Sequence, residues 1–258
     1  MMTQIKLKTG LIVAAALVLA GFTASPAEAG RRGVAFAADS PAQAVAQDSE
    51  AWITDLREAQ TAHQLLVVAA TEGTQAVVSM HERGADGRWA EILSTPAYIG
   101  RNGLGKTAEG DGKTPVGTFH FTSAFGIMPD PGSTRPYKQV DANDYWSGDP
   151  RSGYHYNEMV DIRDYPKLNT GASEHIIDYY PEYLYCLNIS YNEAGTPGLG
   201  SAIFLHCMGK KTYTGGCVAI PSEQMIRVLQ NLEHDCVVVI DSMAALKTTH
   251  QIGWDPFP

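Results

Sequence analysis

The sequence predicts a mainly β domain, a sandwich or half-open barrel with short helices. Three observations point there: 25 glycines and 14 prolines to make turns, 12 tyrosines suited to half-buried pleated positions, and a series of short apolar runs bounded by turn residues. At 258 residues, 44% hydrophobic and 18% charged, the chain is long enough for one substantial core. Its 19 Lys+Arg against 28 Asp+Glu give a formal net charge of -9. No basic surplus is left to neutralise a nucleic-acid backbone or to hold an anionic membrane surface.

In chain order, Lys6 and Lys8 precede an apolar run from Leu11 to Phe22, and Ala27-Glu28-Ala29 follows as a small-residue cleavage pattern. Residues 1–29 therefore read as a secretory signal peptide. The run falls short of the roughly 20 residues that cross a bilayer, so export is expected, with no stable membrane insertion after cleavage. Residues 30–48 are rich in Ala with Gly, Ser and Pro and lack apolar periodicity, the composition of a flexible linker, which leaves 49–258 as the folded domain.

Within that domain, Trp52, Ile53 and Leu56 predict a short helix after Ser49. Gln64–Ala70 and Gln75–Glu82 read as a hairpin around Glu72-Gly73-Thr74. Trp89–Leu93, Val116–Thr122, Tyr183–Ser190, Ala202–Cys207 and Cys236–Asp241 are further strands, each β-branched or aromatic-rich. Ser222–Leu232 is a helix: Met225, Ile226, Val228, Leu229 and Leu232 form one stripe after the start signal Pro221-Ser222. Residues 130–170, full of Asp, Gly, Pro and Tyr, predict a long functional loop or flap.

Gly100-Arg101-Asn102-Gly103-Leu104-Gly105-Lys106-Thr107 satisfies the phosphate-loop pattern. That chemistry needs a helix opening at Lys-Thr, and Gly110, Gly112 and Pro115 preclude one. The stretch reads instead as a glycine-rich loop at the edge of a β domain.

Chemistry concentrates between Gly200 and Pro221. A strand ends in His206, a loop carries Lys210, Lys211, Tyr213 and Thr214, and Cys217 follows Gly215-Gly216. A cysteine nucleophile needs a base or a positive field, and a His delivered by the neighbouring strand supplies the base. Two glycines allow a sharp turn that exposes the Gly216 and Cys217 amides to an oxyanion. Two other readings compete. Cysteine is often a core residue, and His206, Cys207 and Cys217 are potential zinc ligands, although adjacent strand residues such as His206 and Cys207 point to opposite faces. Cys186, Cys207 and Cys236 read as buried free thiols, with one structural pair as the alternative.

At these residues the chain resembles the YkuD-like L,D-transpeptidases of the bacterial cell envelope. His206, Thr214, Gly216, Cys217 and the hydrophobic Val218 match that family's signature, and the GSAIFLH, GRNGLGK and GDGKTPVGTFHF stretches extend the likeness from Leu65 to Asp241. The chain departs from the pattern at Gly215, where the family carries His, at Ala219, where it carries Arg or Asn, and at Cys207, where a polar or small residue is usual.

The resemblance implies an L,D-transpeptidase catalytic fold and a cysteine acyltransferase acting on peptidoglycan stem peptides in the periplasm or cell wall. Cys217 would be the nucleophile, His206 the base, and Gly216 part of the oxyanion site. Tyr213, Thr214, Gly215, Lys210 and Lys211 would bind substrate, with Arg101 a further cation available to it. No cofactor or metal is implied, and carbapenem-type inhibitors would react at the cysteine. Water as acceptor would make the same site an L,D-carboxypeptidase and a cross-link as donor would make it an endopeptidase. A site decayed at Gly215 and Ala219 would leave a cell-wall-binding module.

Overall fold

The computed structural model describes residues 47–254, which fall within one compact unit. The expected signal peptide and all but the last two residues of the expected linker lie outside the described residues. The first elements are β1 (Gln47–Asp48), α1 (Ala51–Thr54), β2 (Gln64–Ala70), β3 (Gln75–Arg83), β4 (Trp89–Tyr98), β5 (Gly117–Gly126) and β6 (Tyr137–Gln139). Three short strands follow, β7 (Asp144–Trp146), β8 (Met159–Asp161) and β9 (Glu174–His175). The chain then runs through β10 (Cys186–Ile189), β11 (Phe204–Cys207), β12 (Val218–Ile220), α2 (Ser222–Asn231), β13 (Val237–Ser242) and α3 (Met243–Leu246).

Strands pair in the order β4-β12-β11-β10-β5-β13-β2-β3, and β3 pairs back onto β4, so the main sheet closes on itself as a barrel. The mainly β expectation holds, with the barrel as its form. Closure removes the open edges that would otherwise template aggregation. β11–β12 and β13–β2 are parallel, and the other pairs around the ring are antiparallel.

Alternation decides what each strand buries. Leu66 and Val68, Val78 and Met80, Leu205 and Cys207, Val218 and Ile220, and Val238 and Ile240 point into the barrel, where Met225, Val228 and Leu229 of α2 join them. The opposite face of β2, Leu65, Val67 and Ala69, is covered by Ile53, Leu56 and Leu246 from the two ends of the domain. β2 is buried on both faces, which is why its sequence is a continuous apolar run.

On the far side of the barrel, β7, β8 and β9 form a separate small antiparallel sheet. Trp146 and Ile176 from this region pack with Phe125, Cys186, Phe204 and Cys217 on the outer face of β5, β10 and β11. Residues 130–170 are thus partly ordered in three-residue strands rather than wholly loop. Val140, Trp146 and Met159 from this stretch cover the outer face of β5, β10 and β11.

Candidate active site

The parallel register between β11 and β12 places Leu205 opposite Val218, His206 opposite Ala219 and Cys207 opposite Ile220. Leu205, Cys207, Val218 and Ile220 point inward, so His206 and Ala219 point outward, and Cys217, one residue before β12, falls on the same outer face. Residues 208–217 make the whole connection between two parallel neighbours, with no helix in it. The loop is tied down elsewhere: Thr214 N–H donates to the Ile99 carbonyl at 2.9 Å, and Arg101 N–H donates to the Thr214 carbonyl at 3.0 Å. Because His206 and Cys207 face opposite sides of β11, the zinc reading loses a ligand. Among the described residues no three His, Cys, Asp or Glu side chains group as a metal site.

Cys217 is only 6% exposed. Its Sγ–H donates to the Ala202 carbonyl at 3.1 Å, and Phe204 N–H donates to the sulfur at 3.3 Å. Two hydroxyls, Thr214 Oγ1 at 2.6 Å and Thr114 Oγ1 at 3.3 Å, donate to its carbonyl oxygen. Thr214 Oγ1 also accepts from Gly216 N–H at 3.1 Å, so the amide expected to face an oxyanion is occupied here by the threonine. Gly216 has φ +149, and a Cβ there would stand 2.8 Å from the Lys113 carbonyl oxygen, which explains glycine at this turn. Burial, with the charge of Glu174 adding to it, pushes the Cys217 thiol up to about 12. At rest the Cys217 side chain is a neutral thiol.

His206 is buried, and burial lowers its basicity while the Cys207 carbonyl and Glu182 oppose that effect. Its Nδ1–H donates to the Cys207 carbonyl oxygen at 2.7 Å, which leaves Nε2 as the acceptor and fixes the tautomer a general base requires. The Tyr183 ring stands edge-on to the imidazole at 5.4 Å between centroids.

Cys217 and His206 line one cleft of roughly 370 Å³. Of the residues singled out in the sequence, Lys211, Tyr213, Thr214, Gly215, Ala219 and Arg101 also line it, whereas Lys210 and Gly216 do not. The Lys211 ammonium lies over the Tyr213 ring at 5.8 Å. The cleft also holds residues that sequence reasoning missed, Glu174, Tyr183 and Lys106 among them. Tyr183 Oη–H donates to Glu174 Oε2 at 2.7 Å, and burial pushes the Glu174 carboxyl up to about 7. Lys106 is buried with its Nζ 3.1 Å from Asp111 Oδ1 and 3.1 Å from the Ala108 carbonyl oxygen, and its charge works against that of Glu174 on the Cys217 thiol. A Cβ at Gly200, whose φ is +119, would overlap the Lys106 side chain. The phosphate-loop pattern therefore serves to bury this lysine beside the cleft. The helix that phosphate binding needs is absent between Lys106 and Pro115.

A cysteine and a histidine lining one cleft suit acyl transfer through a thioester. Two solved structures are similar to this chain at a low level: Pgp2 of Campylobacter jejuni, described as a helical cell shape determining protein, and a single-residue mutant of it. Each is 17% identical over 69% of this chain, with TM-scores of 0.35 and 0.37 for native and mutant, and the match covers 48% and 47% of those chains respectively. The chain thus spans about half the length of the solved structures it matches. No curated protein matches it. Residues 65–240, most of the barrel and the whole cysteine–histidine face, match YkuD, the L,D-transpeptidase catalytic domain, and the chain belongs to that family.

Proposed function

We propose that the protein is a peptidoglycan L,D-transpeptidase in which Cys217 is the nucleophile and His206 the base. The observation that carries this reading is the placement of both side chains on one outer face of adjacent parallel strands, at one cleft, with His206 Nδ1 bonded to the Cys207 carbonyl. Cys217 attacks the carbonyl of a diaminopimelate-like residue in a donor stem, and His206 takes the thiol proton and passes it to the departing D-Ala amine. The thioester is then attacked by the amine of a second stem, and the cross-link forms as sulfur leaves. Because the resting thiol is neutral, its proton moves during attack, with no stored thiolate.

Tyr213, Thr214, Gly215 and Lys211 line the binding side of this cleft, and Arg101 offers a second cation beside them. Residues 1–29 act as an export signal, 30–48 as a linker and 49–258 as the catalytic domain. The workplace is the periplasm or cell wall, and no helix of the described residues is long and apolar enough to cross a membrane. Carbapenem-type inhibitors acylate the same sulfur.

Defined tetrapeptide stems incubated with the secreted protein, with products separated by mass, test this reading. A cross-linked dimer with release of D-Ala supports it. Release of D-Ala without dimer would make the enzyme a carboxypeptidase. No release would favour a wall-binding module, a reading that the high thiol pKa and the Gly215 and Ala219 departures support.

A further inference from the structure

The cleft contains a carboxylate that works against its own nucleophile. Glu174, brought in by β9 of the small sheet, lines the same cleft as Cys217 and His206, and its negative charge adds to burial in keeping the thiol protonated. Acylation therefore gains nothing from it. The other carboxylates of the cleft are engaged: Glu109 accepts from the Tyr156 and Ser201 hydroxyls on Oε2 and from Gly110 N–H on Oε1, and Asp178 pairs with His175 at 2.9 Å. Glu182 packs against Gly209 near His206. Glu174 takes one hydrogen bond among the described residues, from Tyr183 to Oε2.

Proton accounting shows what such a group can do. An acceptor stem arrives as an ammonium, and forming an amide from it releases two protons. His206 delivers one to the departing Cys217 sulfur. The other has to leave before attack, because an ammonium has no lone pair. We propose that Glu174 binds the ammonium of the acceptor stem and takes its first proton, freeing the amine to attack the Cys217 thioester. In that step an N–H bond breaks as a carboxyl O–H forms. The C–N bond then forms as the C–S bond breaks, the second proton reaches sulfur through His206, and Glu174 returns its own proton to water.

This inference rests on the transpeptidase reading above and assigns the acceptor side of the same cleft. Burial that raises the Glu174 carboxyl to about 7 makes its carboxylate a stronger base than a solvated one, and the same desolvation makes an entering ammonium easier to deprotonate. Glu174 feels the Tyr183 hydroxyl and the charge of Glu109, and it acts in turn on Tyr179, Cys186 and Cys217. His206 and three cations line the same cleft, and each cation has a partner: Lys106 with Asp111, Lys211 over the Tyr213 ring and Arg101 with the Gly110 carbonyl.

The test compares wild type, Glu174→Gln and Glu174→Asp, each first acylated with a donor stem and then offered one of two acceptors. One is a stem peptide whose amine is an ammonium at neutral pH, and the other is hydroxylamine, which is neutral there. The expected result is that Glu174→Gln lowers the ratio of cross-linked to hydrolysed product about tenfold with the stem acceptor, that Glu174→Asp restores part of it, and that hydroxylamine aminolysis of the thioester matches across all three. An equal fall with both acceptors, or no fall with either, would overturn the assignment. If wild type forms no acyl-enzyme at all, the transpeptidase reading fails and this inference goes with it.

Discussion

The thiol of Cys217 points at the backbone carbonyl of Ala202, 3.1 Å away, and has no hydrogen bond to His206. Cys217 and His206 share a face and a cleft, yet the sulfur is held against β11 and its approach with a second hydrogen bond from Phe204 N–H. On the proposed mechanism, the sulfur turns toward the imidazole when the donor stem binds.

Thiol chemistry without substrate should therefore be slow. With the thiol pushed up to about 12, roughly one part in 10⁵ is thiolate at pH 7, so iodoacetamide labelling of Cys217 should rise about tenfold per pH unit between 7 and 9. Glu174→Gln removes a repelling charge and should speed labelling at fixed pH. A labelling rate that levels off near pH 7 would show a thiolate already formed.

Two buried groups set opposing slopes of stability with pH. His81, hydrogen-bonded to Ser49 and Ser79, is depressed by burial from 6.5 to about 4, so the unfolded chain binds more protons between those values and stability rises with pH across that window. Glu174 is raised from 4.5 to about 7, so the native state binds more protons there and stability falls as pH climbs from 4.5 to 7. Each contribution is on the order of 3 kcal/mol. Glu174→Gln, which cannot ionise, should gain stability relative to wild type as pH rises from 4.5 to 7, measured by chemical denaturation. A difference independent of pH would mean that Glu174 titrates normally.

Substrate carboxylates have an asymmetric pair of candidate partners. Lys211 lines the cleft and Lys210 does not. Lys211→Ala should raise KM for a stem peptide several-fold with a smaller change in kcat, because a remote charge contact stabilises ground and transition states alike. Lys210→Ala should leave KM within about twofold. Equal effects of the two variants would indicate a general field in place of a contact.

The turn before the nucleophile is held by Thr214, whose one hydroxyl bridges Gly216 N–H and the Cys217 carbonyl. Thr214→Val leaves the Gly216 N–H without a partner and the Cys217 carbonyl with only the longer bond from Thr114, and should cost about 2 kcal/mol in stability as well as activity. Thr214→Ser should restore most of both. Loss of activity in the serine variant comparable to that in valine would assign the methyl, not the hydroxyl, to the turn.

Much of this was legible in the sequence where periodicity runs long enough to register. Gln64–Ala70 is a visible apolar run because both its faces are buried, and α2 shows a clear stripe because one face packs on the barrel. β4 continues five residues past the expected end at Leu93, through Pro96, a residue that ordinarily breaks a ladder. β12 and the small sheet escaped because strands of two or three residues carry no measurable period. His206 and Cys217 could be read from a strand-ending His and a Gly-Gly-Cys turn close together in sequence. Glu174 and Tyr183 reach the cleft from the small sheet and the 3-10 turn Glu182–Leu184, and no local spacing links them to the cysteine. Lys106 sat inside a motif whose usual meaning was rejected, which hid its burial.

The central claim is that Cys217 becomes acylated with His206 as its base. Intact-mass measurement of protein quenched within the first turnover on a tetrapeptide stem, followed by peptide mapping, tests it most directly. The expected result is an adduct lacking D-Ala on Cys217, absent in Cys217→Ala and at least a hundredfold slower to form in His206→Ala. An adduct on another residue, or full turnover by folded Cys217→Ala, would contradict it.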